Sequence, residues 1–341
     1  MTEIMVEASK SYPVTIGSGI LQRVANVICG IPNVCIVCDH NVWPLYGKSL
    51  RAHLCGKGTL VGYYVFPAGE TSKNTENFLE LLNFLSVNEF TRSDCIIALG
   101  GGVVGDLAGF AAATYLRGIP YIQMPTSLLA MVDSSVGGKT GIDLPAGKNL
   151  CGAFYQPEAV ICDTDVLNTL PEEVFRDGCA EVIKYAVLFD PQLFALLEET
   201  GVNFPKEEVI ARCVAHKRNV VAGDEFDRGQ RMLLNLGHTI GHAIETCSNY
   251  TITHGQAVAI GMAMVCRACK CPDTHRIISL LEKFGLPTAT DLPVTSLWEA
   301  ACKDKKRNGD AVNLIVPKAI GHCEILPTTT RDLKTFIKEG M

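Results

Sequence analysis

The chain of 341 residues contains no uninterrupted apolar run near the roughly 18 to 20 residues that a membrane span needs, although 48% of its residues are hydrophobic. A basic block is missing too: 30 lysines and arginines against 36 acidic residues leave a net charge of -6. That balance argues against a nucleic acid or an anionic membrane as partner. The first residues, MTEIMVEASKSYPV, lack the basic and then apolar order of a secretion signal, so the expected location is cytoplasmic. Internal repeats and low-complexity segments are also absent. What remains is an ordinary globular composition, long enough for two domains with their own cores.

Cysteine is the exception, with 15 residues. Most lie inside apolar runs such as VCIVCD, DCIIALG and AVICD, where a free thiol acts as a small hydrophobe. This favours a reducing compartment over a disulfide framework. Cys35 and Cys38 are three apart on an expected strand and so face opposite sides. Cys266, Cys269 and Cys271 fall at an expected helix end, and neither set has a convincing metal-ligand pattern.

Through the first half, short β-branched runs alternate with amphipathic segments. VCIVC precedes a helix near 42–54, LVGYYVF a helix near 74–89, and CIIALG a helix over 103–116, before YIQMP. Strict alternation implies right-handed crossovers and a parallel sheet. The fold expected is therefore an α/β N-terminal nucleotide-binding domain with a parallel sheet over 1–165. After Pro171 the pattern turns helical until AVNLIVP and IGHCEILP, so 166–341 reads as a mainly α-helical C-terminal domain.

GGGVVGD, Gly100 to Asp106, follows the buried strand directly and opens a helix, where glycine lets backbone N–H groups approach a diphosphate. The spacing is not GxGxxG, so a plain strand-to-helix turn stays open. Asp39 and Asn41 after VCIVC, and Glu70 with Lys73 in FPAGETSK, belong to the same sheet edge. The glycine-dense stretch 125–154 contains Asp133, Lys139, Lys148 and Asn149 and reads as an ordered functional loop.

In RMLLNLGHTIGHAIETCSNYTITHG, His238 and His242 are four apart and share one face if 233–245 is helical. His254 opens a further helix. Such histidines also serve as hydrogen-bonded core residues, so metal binding needs a carboxylate. Glu181 in AEVIKYAVLF is the candidate, with Lys184 on its face. A His/His/Glu set with an open position suits a catalytic zinc. Lys184, Lys217, Arg231 and Asn235 join these as inward polar candidates, which a cleft between the domains would collect. Lys305 and Lys306 in KDKKRNGD read as a solvated charge run.

Taken together, PAGETSK, GGGVVGD, TYLRG, PTSLLAMVDSSVGGKT, GKNLCGAF, LNTLP, AEVIK, RMLLNLGHTIGHAIE, HGQAVAIGM and DKK with a later AIG resemble the 3-dehydroquinate synthases from about Phe66 to Gly321. The resemblance implies NAD and one divalent metal, zinc or else cobalt, held by Glu181, His238 and His254. It puts NAD against Asp39, Asn41, Glu70, Lys73, Gly101, Gly102, Val103, Asp106, Thr126 and Ser127, and near Lys139, Lys148, Val166 and Thr169. Asp133, Lys139, Asn149, Lys184, Lys217, Arg231, Asn235 and His242 match the substrate site. Arg117 matches a residue that reaches into a neighbouring subunit, implying a homodimer.

The implied substrate is a sugar phosphate, 3-deoxy-D-arabino-heptulosonate 7-phosphate, whose carboxylate and phosphate suit the lysines and arginines. The implied steps are hydride loss from C5 to NAD, phosphate elimination, hydride return, ring opening and an aldol closure. The chain departs from the family's usual HGE at Gln256, where an amide replaces a carboxylate expected to support His254. PTS for the usual PTT keeps the hydroxyl. Rival readings are a polyol or alcohol dehydrogenase, a cyclase making another carbocycle, and a non-catalytic nucleotide sensor.

Overall fold

The computed structural model describes residues 1–305 and 311–341. Lys306 lies outside the described residues, and Lys305 is described only as the last residue of a helix. The strands are β1 (Thr2–Val6), β2 (Tyr12–Gly17), β3 (Asn33–Asp39), β4 (Leu60–Phe66), β5 (Cys95–Gly100), β6 (Tyr121–Pro125), β7 (Lys139–Leu144), β8 (Gly147–Phe154), β9 (Ala159–Asp163), β10 (Ala311–Ala319) and β11 (His322–Thr329). The helices are α1 (Val24–Val27), α2 (Lys48–Cys55), α3 (Thr75–Val87), α4 (Gly102–Thr114), α5 (Glu172–Phe189), α6 (Pro191–Thr200), α7 (Lys206–Gly223), α8 (His238–Cys247), α9 (His254–Ala268), α10 (Thr274–Lys283), α11 (Val294–Lys305) and α12 (Thr330–Gly340).

Contacts divide the chain into two units: Met1–Leu170 with Lys206–Phe226, and Pro171–Pro205 with Asp227–Met341. A sequential cut after residue 165 would leave α7 with the second unit. Its packing on β1 and β2 instead gives it to the first.

The first unit is built on a seven-stranded sheet of order β1-β2-β9-β6-β5-β3-β4. All neighbours pair parallel except β1 with β2. β3 and β5 are buried on both faces, which is why NVCIVCD and CIIALG read as continuous apolar runs. Cys35 and Cys38 do point to opposite faces: Cys35 joins the core under α3 and α4, and Cys38 the core under α2.

From β3 the chain crosses to β4 at the edge and then returns to β5 on the other side of β3. The carboxyl ends of β3 and β5 therefore flank a topological switch point, the place where open α/β sheets bind ligands. The glycine-dense 125–154 stretch is not a loop. It forms a one-turn π-type segment at Ala130–Ser134 and the antiparallel hairpin β7–β8.

The second unit is mainly helical, with β10 and β11 as an antiparallel pair. The expected helix over 233–245 is broken. Gln230–Asn235 is a 3-10 turn, Gly237 adopts φ 78°, and α8 begins at His238. A Cβ at Gly237 would lie 2.6 Å from Val258 O, so this left-handed turn needs glycine for space as well as conformation. One position on α9 is equally tight, since a Cβ at Gly261 would lie 2.1 Å from Gly237 O. Small residues thus let α8 and α9 approach closely and fix where their histidines stand.

Candidate metal and cofactor sites

In the second unit Glu181 is fully buried on α5, one turn before Lys184, which is 1% exposed and ion-pairs with its Oε2. The other oxygen, Oε1, lies 3.4 Å from His238 Nε2 and 3.5 Å from His254 Nε2, with no well-formed hydrogen bond. A buried carboxylate oxygen left in this state is costly unless something positive occupies the space before it.

The remaining ring nitrogens are engaged. Leu236 O, an acceptor only, lies 3.0 Å from His238 Nδ1, so that nitrogen donates and Nε2 is the nitrogen turned to Glu181. His254 Nδ1 lies 3.4 Å from Glu245 Oε2. Donor atoms of Glu181, His238 and His254 all fall within 4.8 Å of one another. One carboxylate and two imidazoles fit a divalent metal of zinc type with coordination positions to spare.

Burial alone would raise the Glu181 pKa, yet Lys184 and the two histidines hold it well below the usual carboxylate range. Burial opposes charge on His254, but the carboxylates of Glu181 and Glu245 beside its ring raise its pKa to about 10. The two carboxylates are thus arranged to face a positive charge, proton or metal. His242 is exposed, its ring centroid 5.4 Å from that of His238 and 6.2 Å from that of His254. Arg231, 2% exposed, and half-buried Asn235 stand in the 3-10 turn just before α8.

In the first unit the expected cofactor residues gather at the carboxyl ends of the strands. Asp39 closes β3, and its Oδ1 accepts from the N–H groups of Asn41 and Val42 at 2.9 Å. Gly101 caps α4 without a side-chain hydrogen bond to the first-turn amides, and Gly102 and Val103 open that helix. A Cβ at Gly102 would lie 3.1 Å from Ser134 Oγ, and one at Gly101 3.5 Å from Ser127 Oγ. The missing side chains leave a backbone cradle at a helix N-terminus, which suits a diphosphate. Thr126 N donates to Gly100 O at 2.9 Å, placing Thr126 and Ser127 at the end of β6 beside that cradle.

Lys73, 4% exposed, has Glu70 at 2.9 Å, Asp106 at 3.2 Å and Asp143 at 3.8 Å. Burial raises Asp106 to about 6, even against Lys73. Lys217 on α7 donates to both Asp133 O and Asp133 Oδ1 at 2.7 Å. Val166 O and Thr169 Oγ1 both meet the Tyr46 hydroxyl. Lys139 is exposed on β7, while half-buried Lys148 and exposed Asn149, at φ 54°, lie on β8. Arg117 is exposed, at φ 69° in a turn after α4.

Two family models cover most of the chain: 3-dehydroquinate synthase N-terminal matches residues 63–177, and 3-dehydroquinate synthase C-terminal matches 178–307. The chain belongs to the 3-dehydroquinate synthase family. A 3-dehydroquinate synthase of Latilactobacillus sakei is 43% identical over 93% of this chain and 92% of its own length. One of Acidithiobacillus ferrooxidans is 44% identical over 97% of each chain. Among solved structures, 2-deoxy-scyllo-inosose synthase with carbaglucose-6-phosphate, NAD+ and Co2+ superposes with a TM-score of 0.90 at 26% identity, covering 100% of both chains. A 2-epi-5-epi-valiolone synthase from Streptomyces hygroscopicus, with NAD+ and Zn2+, gives 0.89 at 26% identity, covering 99% of this chain and 98% of that one. An iron-containing alcohol dehydrogenase shares the fold, with a TM-score of 0.70 at 16% identity over 99% of both chains.

Gln256 does not support His254. Its Oε1 accepts from Thr253 N at 3.2 Å as half of a capping box on α9. The carboxylate facing His254 is Glu245, 3% exposed, which sequence reasoning passed over although it stands three residues after His242 on the same helical face. Asp143 was passed over as well. It approaches Lys73 and accepts from Asn149 N at 2.8 Å, and its only signal was one acid inside the strand KTGIDL.

Proposed function

We infer that this chain converts 3-deoxy-D-arabino-heptulosonate 7-phosphate to 3-dehydroquinate and inorganic phosphate, a step of the shikimate pathway to aromatic amino acids. The observation that carries the reading is the match of both family halves, joined to a Glu181–His238–His254 donor set built on a buried carboxylate. Identities of 43–44% to 3-dehydroquinate synthases, against 26% to two cyclases making other carbocycles, favour this substrate. The dehydrogenase reading has fold likeness alone behind it.

Glu181, His238 and His254 would hold a divalent metal, which supplies Lewis-acid polarisation, and the carboxyl ends of the strands would hold NAD, which supplies reversible hydride acceptance at C5. The chain's residues do the rest. A C5 ketone acidifies the C6 proton, so phosphate can leave at neutral pH. The positive charge of Lys139, Lys184, Lys217 and Arg231 suits the carboxylate and the departing phosphate. Asp133 fixes the Lys217 ammonium through two 2.7 Å bonds, so its charge is oriented before substrate arrives. Asn149 and Asn235 supply hydrogen bonds to hydroxyls, and an imidazole nitrogen of His242 carries a proton during ring opening and closure. Asp39, Asn41, Glu70, Lys73, Asp106 and the Gly101–Val103 turn hold the cofactor, with Val166 and Thr169 at its rim. No net reduction results.

The chain acts as a homodimer in the cytoplasm. Supporting the dimer, Arg117 is an exposed residue able to complete a partner's site; supporting the compartment, most of the cysteines sit as small apolar residues inside strands and helices, which suits a reducing environment. The test is Glu181→Gln with His238→Ala. Both variants are expected to lose bound metal and phosphate release while keeping the parent's circular dichroism. Full metal content in both would refute the ligand assignment.

A further inference from the structure

Beyond the three donors already assigned, the second unit holds another set: His242, Glu245 and His254 also bring one ligand atom each within 4.8 Å of one another. The two sets share His254 but use opposite edges of its ring. Nε2 faces Glu181 at 3.5 Å and Nδ1 faces Glu245 at 3.4 Å. We propose that His242, Glu245 and His254 Nδ1 form a second, weaker site for a divalent metal of the zinc, cobalt or nickel type, and that filling it shuts the enzyme off when metal is in excess. The proposal rests on the assignment of the first metal to Glu181, His238 and His254.

Geometry supports closure of the second set. With bonds of about 2.0–2.1 Å, tetrahedral donors stand about 3.3 Å apart, so atoms already within 4.8 Å need only side-chain adjustment. Glu245 is 3% exposed and its helix is packed on α9, so the carboxylate is fixed. His242 is exposed and can turn, and its ring is centred 6.2 Å from that of His254. Two nitrogens and one oxygen make a borderline donor set of the kind those metals take.

The order of filling follows from what each set gives up. In the first, the Glu181 carboxylate is fully buried with its Oε1 facing both histidines, so a cation there relieves a cost already present. In the second, exposed His242 must first be turned and held, and the 3.4 Å contact of His254 with Glu245 is given up, the Nδ1 proton passing to solvent as the metal–Nδ1 bond forms. The second site therefore fills later. Once filled, it takes His242 away from proton transfer and leaves His254 bridging two cations, so activity falls as occupancy rises.

Equilibrium dialysis of metal-free chain against Co2+ or Zn2+, from micromolar to millimolar, with metal counted per chain, tests this. The parent is expected to take up one equivalent, then a second at concentrations at least tenfold higher, with activity peaking at the first. His242→Asn leaves Glu181, His238, Glu245 and His254 in place and is expected to stop at one. Uptake by surface thiols is common to both and drops out of the difference. A second equivalent that persists in His242→Asn, or a parent that never exceeds one, overturns the proposal. A parent that takes up none at all refutes the Glu181–His238–His254 assignment instead.

Discussion

Two substitutions decide which side chain supports His254. Glu245 Oε2 lies 3.4 Å from His254 Nδ1 in a position 3% exposed to solvent, so the carboxylate fixes the ring and raises the electron density on Nε2. Glu245→Gln keeps the volume and removes the charge. Loss of such a partner typically weakens metal affinity about 10- to 100-fold, or about 1.4 to 2.7 kcal/mol. Gln256→Glu is the counter-experiment. That side chain caps Thr253 N, and its backbone N–H donates to Asp177 Oδ1. An acid there should therefore change metal affinity by less than about tenfold, since glutamate serves the same capping box. Competition between each folded variant and a metal-binding dye gives both dissociation constants. If Gln256→Glu tightened binding tenfold while Glu245→Gln left it unchanged, the assignment of Glu245 to His254 would be wrong.

Gly102→Ala places a Cβ 3.1 Å from Ser134 Oγ in the helix-terminal cradle; NAD binding should weaken on the order of tenfold, read by fluorescence titration, with little change in thermal midpoint. Unchanged affinity would place the diphosphate elsewhere. Asp106 titrates near 6 when folded, above the ordinary value of about 3.9. Between these values the folded chain holds a proton that the unfolded chain has released, so this group makes the fold less stable as pH rises from about 4 to 6. Asp106→Asn should flatten that slope in denaturant titrations, and an unaltered slope would exclude the group. Finally, Arg117→Ala and Lys184→Ala should each be inactive, yet subunit exchange between them should restore about a quarter of the parent's sites if each dimer site takes Arg117 from the partner. No recovery despite heterodimers would remove Arg117 from the neighbouring site.

Much of this was legible in the amino-acid order because a doubly covered parallel sheet leaves a strong signature. VCIVC and CIIAL are apolar throughout, since both faces of β3 and β5 are buried, and the Gly100–Asp106 turn follows directly. The hairpin over 139–154 was hidden. Its glycines suggest a loop, and β8 alternates half-buried and exposed residues without a sustained apolar face. The start of α8 was misplaced because RMLLNLGH continues the apolar period through Gly237, whose left-handed backbone breaks the helix only through its contact with α9. The same is true of α7, whose membership of the first unit depends on long-range packing on β1 and β2 that no local pattern encodes. At the candidate metal set, spacing left His242 open, and Glu181, His238 and His254 were readable as donors only through what the family motifs imply. The role of Glu245 was not, because it depends on how closely α8 meets α9.

The most direct measurement follows phosphate, 3-dehydroquinate and nicotinamide absorbance together as metal-loaded chain consumes the heptulosonate phosphate. One phosphate should appear for each 3-dehydroquinate, with oxidised NAD fully restored and all turnover stopped by chelator. NADH accumulating in step with substrate loss, or phosphate release undiminished by complete metal removal, would contradict the account.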